Sequence, residues 1–329
     1  MRCTTDSGSE ELILFFSIRS IGLIRANKRN MKILITGASG LIGKELQKSF
    51  AHRGYDVLVA GRGEPKHANE IQWSVDDGFH DGDLTRLEGL DVVVHLAGEN
   101  IAGLRWTDEK KKAIRDSRVM GTHNLVNALS RLKDKPRVFI SGSAMGFYGD
   151  RGDEILTETS SPGDTFLSEV CKEWETESRR AEDSGIRTVL LRTAIVLSKD
   201  GGALATVLTP FKFGVGGIIG TGKQWMSWIS LDDVVGIINY AIENHNLRGA
   251  VNVASPNPVT NEEFTKTLGD VLYRPTFLPL PEFAVNLIFG EMGDALLIHS
   301  TRVEPKRLKE AGYEFKFTNL RSAIEHAVK

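Results

Sequence analysis

Cysteine is nearly absent: Cys3 and Cys171 are the two in 329 residues. They lie far apart and in unlike contexts, so they form neither a disulfide framework nor a metal-ligand spacing, which fits a reducing compartment. Long apolar runs are missing as well, and none approaches the ~20 residues that a membrane-spanning helix needs. Charge of one sign is not in excess. Lys and Arg number 41 against 43 Asp and Glu, a formal net charge of −2, which offers no general attraction for nucleic acid or an anionic membrane. The basic run Lys110, Lys111 and Lys112 sits between Glu109 and Asp116 and reads as a solvated helix face. There is no internal repeat and no low-complexity tract. These absences lead us to expect a cytoplasmic protein with a small-molecule partner, no nucleic-acid or membrane role, and an oligomeric state the sequence leaves open.

The first thirty residues lack the rhythm of the rest. "EELILFFSIRSIGLI" is a short apolar burst preceded by Asp6, Glu10 and Glu11. It has neither the basic start and small-residue cleavage site of a secretory signal nor the acid-poor composition of a transit peptide. Residues 1–30 are read as an N-terminal extension, disordered or not native, and the fold is read from Met31.

What is present from there is alternation. "KILITG" (32–37), "YDVLVAGR" (55–62), "IQW" (71–73), "DVVVHLAG" (91–98), "RVFISGSA" (137–144) and "RTVLLRTAIVL" (187–197) read as strands. Helical stretches run through Phe50, from Thr107 to Leu132, and from Asp164 to Asp183. Nearly continuous apolar strands separated by helices predict a parallel sheet covered on both faces. After Gly201 the rhythm breaks. "FKFGVGGIIGTGKQ" (211–224) reads as a glycine-rich loop over a pocket. "DDVVGIINYAIEN" (232–244) is a helix, "GAVNVAS" (249–255) a last strand, and "NEEFTKTL" (261–268) opens another helix. Residues 31–200 read as one domain, expected to bind a dinucleotide through the glycine turn after its first strand. Residues 201–329 are a mixed segment that returns to the sheet and forms a smaller, mainly helical substrate-side cap.

The strand–turn–helix "MKILITGASGLIGKEL" carries glycines at Gly37, Gly40 and Gly43. The first permits a tight turn, the second a close approach of backbone to phosphate, and the third close packing of helix on strand, while free N–H groups at the helix start face the anion. Ser39, Leu41 and Ile42 share that turn and count with the glycines as candidate cofactor contacts. Lys44 is followed by Glu45, not Ser or Thr, which excludes a P-loop. At the end of the second strand stands Arg62 rather than an acidic residue. A cation suits a 2′-phosphate, so NADP is expected over NAD, with a plain surface arginine as the alternative and Glu64 close enough to oppose it.

"TGASGLIG", "HLAGEN" and "SGSAMGFYG" resemble the extended short-chain dehydrogenase/reductase superfamily. "HLAGENI", "PFKFGVGGIIGTGKQWMSWISLDD" and "VEPKRLKEAGYEF" narrow the resemblance to its atypical, NAD(P)-dependent epimerase-like branch, over Met31 to the C-terminus. It implies a Rossmann-type doubly wound α/β fold. It also implies that Leu96, Ala97 and Gly98 line the cofactor, and that Ser141 and Ser143 lie beside its nicotinamide end.

The superfamily's usual chemistry needs a serine, a tyrosine and a lysine, the last two spaced Y-x-x-x-K. Ser143 matches the serine. The phenol is absent, because no tyrosine occurs between Tyr148 and Tyr240. Lys172 stands at or near the lysine position, with Ser168 four residues before it; a register shifted by one aligns Cys171 with Leu167 instead. Tyr148 is the candidate substitute for the phenol, against the alternative of an aromatic packed under its loop. Ser143, Tyr148 and Lys172 are therefore the candidate catalytic residues. Trp225, Trp228 and Lys223 are candidates for a substrate wall, and Arg192 either reaches a substrate anion or pairs with a carboxylate. Two functions remain: an NADP(H)-dependent oxidoreductase or epimerase-like enzyme, or a non-catalytic NADP(H)-binding redox-sensing or regulatory protein.

Overall fold

The computed structural model describes residues 30–103 and 105–329, so the extension expected over residues 1–30 lies, but for Asn30, outside the described residues. The main sheet is built from β1 (Lys32–Thr36), β2 (Asp56–Gly61), β3 (Glu70–Gln72), β4 (Val92–His95), β5 (Val138–Ala144), β6 (Arg187–Thr193) and β7 (Gly249–Val253). The principal helices are α1 (Leu41–His52), α2 (Asp108–Ser130), α3 (Phe166–Arg179), α4 (Gly202–Lys212), α5 (Leu231–Glu243), α6 (Asn261–Leu272), α7 (Glu282–Phe289) and α8 (Leu320–Val328).

All seven strands are parallel, in the order β3-β2-β1-β4-β5-β6-β7. Alternation within the strands explains the two layers. Ile33 and Ile35 of β1 pack with Leu46 and Phe50 of α1 and Ile237 and Ile238 of α5. Leu34 of the same strand joins Leu125 and Leu129 of α2 on the opposite face. Side chains on successive strand residues point to opposite faces, so a run without polar interruptions feeds both cores. The strand order reverses between β1 and β4, and in open sheets of this kind ligands bind in the crevice at that reversal, outside the carboxyl ends of the strands.

Two local readings needed correction. The stretch 187–197 is not one strand: β6 stops at Thr193, and Ile195–Leu197 pairs with Trp228–Ser230 away from the main sheet. Phe211 and Lys212 belong to α4 rather than to the glycine-rich loop. That helix holds Pro210 in its last turn, a residue that argues against a helix interior. The C-terminal helical region has a core of its own, in which Leu204 and Leu208 of α4 meet Trp228, Phe264 and Leu268 of α6, and Ile324 of α8.

At the sheet's centre, His95 is fully buried. Its Nδ1 lies 2.6 Å from Thr36 Oγ1 and its Nε2 2.9 Å from Thr122 Oγ1, which joins β1, β4 and α2. Burial, with a smaller contribution from Arg118, pushes its pKa down to about 3, so it folds as neutral imidazole. The unfolded chain takes up a proton below about 6.5 while the folded one does not. Stability from this residue is therefore intact above pH 6.5 and drains away as pH falls toward 3. We expect a loss of about 2 kcal/mol between pH 7 and pH 5, seen in urea unfolding of the wild type and absent from His95→Gln. An equal acid loss in both proteins would assign it elsewhere.

Candidate functional site

The crevice starts at the β1–α1 turn. Gly37 takes a φ of +71°, and a Cβ there would stand 2.6 Å from the Leu96 carbonyl carbon and 2.7 Å from the Ala97 nitrogen. A Cβ on Gly43 would stand 2.4 Å from the Gly37 carbonyl oxygen. Gly37 therefore has both a left-handed backbone and no room, and Gly43 allows α1 to lie against the turn. Gln47 Nε2 braces the loop by donating to the Ala38 carbonyl at 2.8 Å.

Gly40 is the N-cap of α1, and no side chain caps this helix. By contrast, α2, α3, α5, α6 and α8 are closed by Thr107, Thr165, Ser230, Thr260 and Asn319, while α4 and α7 begin uncapped like α1. The first N–H groups of α1, on Leu41, Ile42 and Gly43, are thus left for an anion. Ser39 and Gly40 are exposed beside them, and Leu96, Ala97 and Gly98 follow β4 on the facing side. Arg62 is exposed just past β2 and lies near enough to Glu99 to depress its carboxyl, behind the larger effect of Lys110, whose Nζ lies 2.6 Å away.

Both serines expected at the nicotinamide end are engaged within the fold. Ser141 is fully buried, its hydroxyl 2.8 Å from that of Ser178, because β5 continues three residues beyond it under α3. Ser143 is 6% exposed and donates to Glu175 Oε1 at 2.8 Å. Arg192 forks onto the same carboxylate, Nε to Oε1 at 2.7 Å and Nη2 to Oε2 at 2.9 Å, so it pairs with a carboxylate and does not reach a substrate anion. Its Nη1 donates to the Tyr148 hydroxyl at 3.1 Å, and that phenol lies 2.6 Å from Asn252 Oδ1. Tyr148 is fully buried, and desolvation raises its pKa against the opposing pull of Arg192. The phenol is committed inside the fold, as an aromatic packed under its loop.

Lys172 is engaged by a neighbouring carboxylate. It is partly exposed on α3 and its Nζ lies 2.9 Å from Glu169 Oε1. The helix turns Cys171 inward instead, where burial above all pushes the thiol up to about 11 and leaves it unreactive. Trp228 is buried in the C-terminal core, its indole donating to the Asn257 carbonyl. Trp225 is partly exposed, bonded to Asp153 and faced by Arg302, and Lys223 is exposed. Sequence reasoning missed Glu175 and Asn252. The available signal for Glu175 was its place four residues after Cys171 on the inner face of α3.

The carboxylate of Glu175 and the guanidinium of Arg192 are 5% and 4% exposed. Removing one partner strands a buried charge, so Arg192→Ala should lower stability by about 3–5 kcal/mol. The double variant Arg192→Met, Glu175→Leu should lose much less. Urea unfolding of both decides this, and equal losses would rule out the stranded charge as the cause.

The comparisons agree with this geometry. The NAD dependent epimerase/dehydratase family matches residues 33–254, and a domain of unknown function, DUF1731, matches 280–327. An epimerase family protein of Mycobacterium bovis is 40% identical over 298 residues, covering 91% of this chain and 98% of that protein. The crystal structure of human epimerase family protein SDR39U1 with NADPH superposes with a TM-score of 0.83 at 32% identity, over 90% of this chain and 99% of that one. A nucleoside-diphosphate sugar epimerase from Corynebacterium glutamicum gives 0.76 at 35% identity, over 96% of this chain and 61% of that one. Among the described residues no helix is long and apolar enough to cross a membrane. The turn at Gly37, the uncapped α1 and the strand order are thus those of a member of the NAD dependent epimerase/dehydratase family, to which this chain belongs.

Proposed function

We propose that this protein binds NADP(H) and acts as an oxidoreductase or epimerase-like enzyme on a small molecule. The observation that carries the reading is the uncapped N-terminus of α1, aimed into the crevice behind a turn that leaves no space for side chains at Gly37 and Gly43. A pyrophosphate fits donors of this kind. Arg62, at the end of β2, is the group we assign to the 2′-phosphate, and the NADPH in human SDR39U1 supports that choice. When bound, the dinucleotide supplies or accepts hydride.

The chain's own residues constrain the proton. Ser143 and Tyr148 are both tied into the Glu175–Arg192 network, so on this reading the proton passes through water or a group of the substrate. One observation favours the second reading, a protein that binds NADP(H) without turnover: Cys171, not Lys172, is the side chain α3 turns inward.

Titration with NADPH and NADH tests the binding. NADPH should bind more tightly, and Arg62→Ala should remove most of the difference, since a charge-assisted contact contributes roughly 1.5–3 kcal/mol. An unchanged ratio would exclude Arg62 as the reader of the phosphate. NADPH oxidation across aldehydes, ketones and nucleotide sugars separates enzyme from binder. Loss of a positioned acid typically costs ~10²–10⁴ in rate, so any hit should be slow, and Tyr148→Phe should leave its kcat unchanged.

A further inference from the structure

Arg118, on α2, is a half-buried cation. No carboxylate lies within ion-pair distance of it among the described residues, since Glu99, the nearest acidic influence on it, is engaged by Lys110. Its Nη1 donates to the carbonyls of Glu99 and Ile114, both at 3.0 Å. Its Nε and Nη2 have no hydrogen-bond partner among the described residues. The guanidinium lies over Gly98, where a Cβ would stand 3.1 Å from its central carbon, and over the Trp174 ring at 5.3 Å. Burial presses its pKa down from the ordinary arginine value, and Cys171 is close enough to push the other way. Arginine stays charged under such pressure.

These contacts place the charge between the segment after β4 and the inward face of α3. Gly98 is exposed to the crevice there, and the inward residue of α3 is Cys171 rather than a lysine. Arg118 is half-buried, and its Nη2 and Nε, without a protein partner among the described residues, stay open to a ligand in the crevice.

We propose that Arg118 is the cofactor-positioning cation of this protein, holding the nicotinamide half of the dinucleotide and favouring its reduced, neutral ring over the oxidised, cationic one. The inference rests on the NADP(H) reading above. A fixed positive charge in a low-dielectric crevice repels the oxidised ring and leaves the reduced ring unaffected. The adenine half is assigned to Arg62 and the α1 turn, on the other side of Glu99, whose carboxyl both arginines depress.

The test is equilibrium binding to the full chain of NADPH, NADP⁺ and adenosine 2′,5′-bisphosphate, which carries only the adenine half. The wild type should bind NADPH at least tenfold more tightly than NADP⁺. Arg118→Gln should shrink that ratio at least fivefold and leave the bisphosphate affinity within twofold, while Arg118→Lys should keep the preference. An unchanged ratio in Arg118→Gln, or an equal loss of all three ligands, overturns the proposal. Should Arg118→Gln not fold, a wild type that binds NADP⁺ as tightly as NADPH overturns it alone. A wild type that binds neither dinucleotide overturns the NADP(H) reading as well, whereas normal NADPH binding with no response at Arg118 overturns only this inference.

Discussion

The contact between Gly37 and the backbone of Leu96 and Ala97 is the constraint on which the crevice depends. At 2.6 Å from a would-be Cβ, the turn after β1 and the segment after β4 touch backbone to backbone. The hydrogen bonds around it reinforce that approach: Ala97 N–H donates to Thr36 Oγ1 at 3.2 Å, and Gly40 N–H to the Gly37 carbonyl at 3.0 Å. Because the turn is seated there, α1 begins with its free N–H groups directed at the strand ends. A side-chain cap would stabilise the isolated helix by ~1 kcal/mol; its absence is what leaves those donors to a ligand.

Two polar rows cross the otherwise apolar sheet, and register explains both. Thr36 of β1, His95 of β4 and Ser141 of β5 are direct neighbours. Two residues further toward the carboxyl ends, Ser143 of β5, Arg192 of β6 and Asn252 of β7 are neighbours in the same way. Parallel pairing puts these side chains side by side, and low local dielectric makes each unmet bond expensive. The second row recruits Glu175 from α3 and Tyr148 from the loop after β5 until its charges are matched. The phenol of Tyr148 and the hydroxyl of Ser143 are thereby hydrogen-bonded within the fold. Outside both rows stands Arg118, a half-buried cation that no carboxylate meets within ion-pair distance among the described residues.

Much of the fold was legible in the residues. Uninterrupted apolar strands such as "VVVH" could be stable only in a sheet buried on both faces, and Gly37, Gly40 and Gly43 signal a turn whose steric demands any structure must meet. The capping residues Thr107 and Thr165 fall within a residue of the expected helix starts or inside them. These features depend on neighbours in sequence, so local chemistry determines them. The break after Thr193 and the helix around Pro210 were not legible, because each is decided by a partner distant in sequence, Trp228–Ser230 for one and the C-terminal core for the other. Whether Lys172 or Cys171 faces inward, what Arg192 pairs with, and whether Tyr148 is free were decided by tertiary structure alone. A one-residue change of helix phase rotates a side chain by about 100°, and packing of α3 against α2, β5, β6 and the loop after β5 sets that phase.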